Sequence, residues 1–185
     1  MKKPIPSRRK FLRNTILASV GLSALGTTSS FANIFDSKLQ LNGYLPNADF
    51  TTDLRKTGAN VMPVTVHGIM YDRQSKLPVS NVLIEVWHLS PDSEEMSYRA
   101  KFNTSDTGRY SFITDFPGHG PQLKPRIFFK ISDGKKEQFN HLIFDSREAF
   151  VDHKQWSELQ NESIDLMPKF SYKLETANIQ LNHIF

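Results

Sequence analysis

The chain of 185 residues contains no cysteine. That excludes a disulfide framework and removes thiolates from any metal site or nucleophilic mechanism. It suits a protein that folds in a reducing compartment. No glycine-rich phosphate loop, no His-x-x-x-His helix and no G-x-S-x-G elbow occurs in the sequence, so nucleotide binding, helix-borne zinc and the α/β-hydrolase nucleophile are unsupported. Long hydrophobic runs are also missing. The most apolar stretch, from about Ile16 to Leu25, is roughly half of the ~20 residues that cross a bilayer, which argues against a permanent membrane anchor.

That short apolar stretch follows a basic head, "MKKPIPSRRKFLRN", and precedes small residues ending Ser30-Phe31-Ala32. The order is that of a signal peptide, with cleavage expected after Ala32. Ser7-Arg8-Arg9-Lys10-Phe11-Leu12 resembles the twin-arginine export signal, so the expected location is periplasmic or extracellular. The segment also decides the charge. The whole chain is formally +4, but residues 1–32 hold six Lys or Arg and no acid, leaving 17 bases against 19 acids in the remainder, a net charge of −2. The mature composition therefore gives no electrostatic footprint for nucleic acid.

What is present is a β pattern. Residues 33–60 read as an irregular N-terminal arm, and residues 61–185 as a single domain of short strands closed by turn residues. "MPVTVHGIMYD" alternates through Val64, Val66 and Ile69, "VSNVLIEVWHL" is a continuous apolar strand, and "GRYSFITDF" opens after Asp106-Thr107-Gly108. "RIFFKI" and "QFNHLIF" flank Asp133-Gly134, a hairpin signal. "REAFVDHKQWSELQ" is the one candidate helix, short and peripheral. "FSYKLETANIQLNHIF" reads as a closing strand or strand pair. Together these predict an all-β sandwich.

Three blocks, "VTVHGIMYDRQSKLPVSNVLIEVWH", "TSDTGRYSFITDFPG" and "PRIFFKISDGKKEQFNHLIF", resemble in order and spacing those of the intradiol ring-cleavage dioxygenases, the family that opens catechol and protocatechuate with ferric iron. The resemblance spans about the central 85 residues. It implies an intradiol-dioxygenase-like β-sandwich and a metal held by two tyrosinates and two histidines. A generic sandwich of transthyretin-like, carboxypeptidase-regulatory or carbohydrate-binding type shares the same glycine and proline texture and is the other reading of the fold.

Carried over residue by residue, the resemblance places the first tyrosine at Tyr98, after a loop longer than the family's. The second falls at Gly120, behind His119. The two histidines fall at Arg126 and Phe128, and an upstream arginine at Leu123 or Lys124. Ferric iron is a hard cation that wants anionic oxygen donors, and a lone phenol near pKa ~10 is protonated at neutral pH. The usual iron centre is therefore not expected to assemble, and no cofactor is expected.

The leading expectation is an exported, non-catalytic or repurposed protein. Its cleft would be walled by Tyr98, Lys124, Arg126 and Phe128 and would bind a phenolic or anionic small molecule through charge-assisted hydrogen bonds. The alternative is an Fe(III) dioxygenase with a displaced ligand set of Tyr98, His119 and His141. His67 and His88 read as strand or surface residues, and His153 and His183, in helix and tail, as solvated. Arg126 and Phe128, two residues apart on a strand, should share a face and lie within reach of Tyr98. The sequence sets no oligomeric state.

Overall fold

In the computed structural model the described residues are 43–56, 58, 60–121, 123–145, 148–151, 162–173 and 175–185. They belong to the unit Ser37–Phe185. The expected signal peptide, with its expected cleavage after Ala32, lies outside them. Among the described residues there is no helix. The predicted helix falls mostly on residues outside this set, and its first residues instead form a short strand, Glu148–Phe150.

Among the described residues ten strands build two sheets. In the first, β1 (Pro63–Tyr71) lies beside β4 (Arg109–Asp115), antiparallel. On its other side it meets β9 (Thr176–Gln180) and then β10 (His183–Ile184), both parallel, with β8 (Lys169–Lys173) outside β9. The second sheet has the order β3 (Tyr98–Asn103), β2 (Leu83–His88), β5 (Arg126–Ser132), β6 (Glu137–Asp145), β7 (Glu148–Phe150). The closing segment is thus three strands rather than one or two. β3 was not anticipated.

Strand periodicity of two decides what faces inward. Val64, Val66 and Met70 of β1 and Tyr110 and Phe112 of β4 are buried, as are Ile84, Val86, Ala100, Phe102, Ile127, Phe129 and Ile131 of the facing sheet. The core therefore lies between the sheets, as in any sandwich.

The open side between β3 and β4 is closed by the N-terminal arm. Lys101 N donates to Asp49 O (2.9 Å) and Thr51 N to Lys101 O (3.2 Å), tying the arm to β3. Ile113 N donates to Thr52 O and Leu54 N to Ile113 O, each at 2.8 Å, tying it to β4. One extended segment thus covers an edge strand of each sheet, satisfying backbone groups that would otherwise template aggregation.

β9 and β10 are interrupted where the chain crosses Gly68 of β1. Leu181 N donates to His67 O (2.9 Å), and the Asn182 carboxamide oxygen accepts from Ile69 N (3.0 Å). The Tyr110 hydroxyl donates to Leu181 O at 2.5 Å. The Leu181 carbonyl stands where a side chain at position 68 would begin. The glycine of the β1 block therefore serves packing, not chemistry.

Candidate functional site

The register of the second sheet sorts the predicted residues onto two opposite faces. Trp87 pairs with Phe128 on one side and with Arg99 on the other, and Phe128 pairs with His141. Paired residues share a face. Arg99, Trp87, Phe128 and His141 therefore form a row across the outward face, away from the core. Glu85, Lys130 and Arg126 extend it along β2 and β5. Arg126 and Phe128 do share a face, as the two-residue spacing requires, since Ile127 and Phe129 between and beside them are fully buried toward the core.

The row is aromatic and cationic. The Trp87 and Phe128 rings stack at 5.5 Å with 12° between planes, and His141 tilts against Phe128 at 6.1 Å. Tyr44, from the arm, packs on Trp87 at 5.2 Å. Its hydroxyl donates to the Glu85 carboxylate, 3.1 Å from each oxygen, and accepts from Lys130 Nζ at 3.2 Å. Lys130 also reaches Glu137 (2.8 Å) and Glu85 (3.6 Å). Burial works against the Lys130 charge, but the bonds to Glu137 and Tyr44 and the charge of Glu85 more than offset it, so its pKa is raised. Arg126 Nε donates to Lys124 O at 3.2 Å. The Lys124 ammonium pairs with Asp145 at the exposed strand end, so it anchors the strand pair more than any cleft.

Tyr98 is not part of this row. It pairs with His88, one residue beyond Trp87, so the pleat turns it inward. It is buried, stacks on His88 at 4.6 Å and donates to Asp115 Oδ2 at 2.8 Å. Burial, then the hydrogen bond to Asp115, raises its pKa. The expectation that Arg126 lies within reach of Tyr98 is therefore corrected. Tyr98 opens a regular strand instead of ending a loop, and the side chain that meets Trp87 on the outward face is Arg99.

His88, read as a strand or surface residue, is the last residue of β2 and lies in the interior, fully buried. Its Nδ1 donates to the Leu89 carbonyl and its Nε2 accepts from the Thr114 hydroxyl, both at 2.7 Å. His119 is exposed in the loop after β4. That loop is pinned by Gly118, where an added Cβ would lie 2.0 Å from the Ser90 carbonyl oxygen. His183, expected to be solvated, is buried in β10 between Phe129 (5.1 Å) and Tyr110 (5.7 Å). His67 is exposed, and His153 lies outside the described residues.

The displaced ligand set of Tyr98, His119 and His141 is thus divided among the interior, a loop and the outward face. No group of three His, Asp or Glu residues that could hold a metal occurs among the described residues. The donor chemistry agrees. Phe128 offers no lone pair, Arg126 is cationic, Gly120 has no side chain, and the Tyr98 phenol is held protonated by a carboxylate that accepts from it. These residues do not fit ferric iron.

No protein-family model matches the sequence, and no curated protein matches it. Solved structures do match. The dioxygenase domain of a dioxygenase carbohydrate-binding protein fusion from Streptomyces sp. SirexAA-E aligns over 77% of this chain and 91% of its own, with TM-score 0.60 and 18% identity. The fold is that of the intradiol ring-cleavage dioxygenases. An intradiol dioxygenase from Tetranychus urticae aligns over 76% of this chain and 88% of its own (TM-score 0.57, 13% identity). A chlorocatechol 1,2-dioxygenase from Pseudomonas putida aligns over 95% and 94% (TM-score 0.57, 14% identity). The two-residue spacing placed Arg126 and Phe128 on one face, although that face is turned away from Tyr98. The sequence motifs did not point to Tyr44 or Arg99. Glu85 and Lys130 stood inside the quoted blocks without being read as a pair.

Proposed function

We propose that this chain is an exported protein of intradiol dioxygenase fold that has no ferric centre, does not cleave catechols, and binds a small phenolic or anionic aromatic molecule on the outward face of the second sheet. The observation that carries this reading is Phe128. A position that the resemblance assigns to a metal-ligating histidine holds a buried phenyl ring stacked on Trp87. The neighbouring ligand position is a guanidinium. Arg99 and Arg126 on the same face favour anionic groups through charge-assisted hydrogen bonds, and the stacked rings favour a flat aromatic body.

The test combines metal content, turnover and binding. Purified mature protein is expected to hold far less than one iron per chain and to leave catechol and protocatechuate uncleaved. Protocatechuate should quench Trp87 fluorescence saturably in a Trp156→Phe background, where Trp87 is the remaining tryptophan. Arg126→Ala should weaken that binding by about tenfold, the scale of one charge-assisted bond. Stoichiometric iron with ring-cleavage activity would overturn the reading.

Export rests on the leader pattern. Replacing Arg8 and Arg9 together by Lys keeps the charge and removes the twin-arginine feature, so the precursor should accumulate uncleaved in the cytoplasm. Fractionation with an antibody against the mature domain reads the outcome. Normal processing of the double variant would exclude the twin-arginine route.

A further inference from the structure

The aromatic row already holds a phenol, and it belongs to the protein itself. Tyr44 projects from the arm onto Trp87. Its hydroxyl is bonded on the acceptor side by Lys130 and on the donor side by Glu85, which is 6% exposed. The Lys130 ammonium also lies 5.0 Å from the centre of the Tyr44 ring. Everything that recognises a phenol is therefore present at one point: an aromatic wall, a carboxylate for the hydroxyl proton and an ammonium for the oxygen lone pair. Burial, with the Glu85 carboxylate adding to it against the opposing Lys130, keeps this hydroxyl protonated.

We infer that the Glu85–Lys130 pair beside Trp87 is a phenol-binding subsite and that Tyr44 is its built-in plug, displaced when a free phenolic ligand binds. This rests on the reading that the outward face takes a phenolic molecule, and it deepens that reading by naming the hydroxyl-recognising pair and the contact that regulates access. The arm suits such a role. Among the described residues its backbone bonds to the two sheets run from Asp49 to Leu54, so Tyr44 precedes them and is held by its side-chain contacts and by the packing of Gly43 against Met96. A ligand competing with a tethered phenol binds more weakly than its contacts alone would allow, because only the fraction of molecules with the plug out is competent.

The test uses p-cresol, the tyrosine side chain without its backbone, with toluene as the control lacking the hydroxyl. Tyr44→Ala in the full mature chain should bind p-cresol at least tenfold more tightly than wild type, read by calorimetry, and p-cresol should raise the melting temperature of the variant while leaving that of wild type nearly unchanged. Toluene should do neither. Glu85→Gln in the Tyr44→Ala background should reverse most of the gain, because it removes the charged acceptor. If Tyr44→Ala does not fold, Tyr44→Phe keeps the ring and loses only the hydroxyl bonds, and it too should bind p-cresol more tightly than wild type. A folded variant that binds p-cresol no better than wild type would overturn the plug and leave Tyr44 a structural strap. If protocatechuate still quenches wild-type Trp87 in that case, the plug alone has failed. If neither ligand binds, the binding function itself has failed.

Discussion

Gly68→Ala is expected to destabilise the protein by more than about 4 kcal/mol, at the diagnostic end of single-substitution effects. A Cβ at this position would lie 1.8 Å from the Leu181 carbonyl oxygen and 2.7 Å from its carbon. Neither atom belongs to a flexible side chain, so the segment that crosses β1 has to move. Moving it strains three hydrogen bonds at once: Leu181 N to His67 O, Tyr110 to Leu181 O, and Ile69 N to the Asn182 side chain. It also lifts the buried Leu181, Ile184 and Phe185. Against a total stability of about 5–15 kcal/mol, the urea midpoint should fall by about a quarter or more. Gly134→Ala is the control. It has φ +85° but nothing within 4 Å of its Cβ position, so only the left-handed conformation is penalised, by about 1 kcal/mol. Equal effects at the two positions would show that Gly68 is not held by this crossing.

The strands that were readable in advance are those whose apolar residues alternate against strongly β-forming neighbours. Val64 and Val66 announce β1, and the unbroken "LIEVW" announces β2, because local pattern and burial agree there. β3 escaped because its inward set is Tyr98, Ala100 and Phe102, only three residues with an alanine among them, following a polar loop. Its start looked like the end of that loop, which is how Tyr98 came to be placed beside Arg126. One residue of register turns every side chain to the other face. His183 was misread for a different reason. β10 is two residues long and pairs in parallel with β1, more than a hundred residues away, so nothing local distinguishes it from a solvated tail.

The same division holds for the candidate site. The likeness in order and spacing led to Arg126 and Phe128, and the structure sets them on one face with Trp87 of β2. What completes the face comes from the arm and from β3. Tyr44 sits in a stretch with no periodicity, and its role appears only once the arm is laid across the sheet. Arg99 is an ordinary cation in sequence, and it becomes part of the row only through its pairing with Trp87. Chemistry assembled from separate strands is visible residue by residue but not as a constellation, because pairing partners are chosen by tertiary packing.

Acidification should destabilise the fold in a window set by two buried imidazoles. Burial is the main cause in both. His88 is pushed down from 6.5 to about 4, and His183 to about 3. Well above pH 6.5 the folded and unfolded chains are equally deprotonated at these positions, so they contribute no pH dependence there. Below 6.5 the unfolded chain binds protons that the folded chain refuses, and stability falls as pH falls toward the folded values. Between pH 7 and pH 5 each imidazole should remove about 2 kcal/mol, so the pair removes about 4. The geometry explains why His183 is the more resistant. At His88 the Leu89 carbonyl, which accepts from Nδ1, and the nearby Asp115 charge partly offset burial. His183 Nδ1 instead faces the Asn140 amide at 3.1 Å, and its Nε2 has no partner among the described residues. The exposed carboxylates held low by their partners, such as Asp53 beside Arg55, act only below about pH 4 and leave this window to the histidines. Urea titrations at half-unit steps should show the fall, and His183→Gln, compared with itself across pH, should show about half of it. A free energy of unfolding that stays flat from pH 7 to pH 5 would mean that neither imidazole is buried neutral in the core.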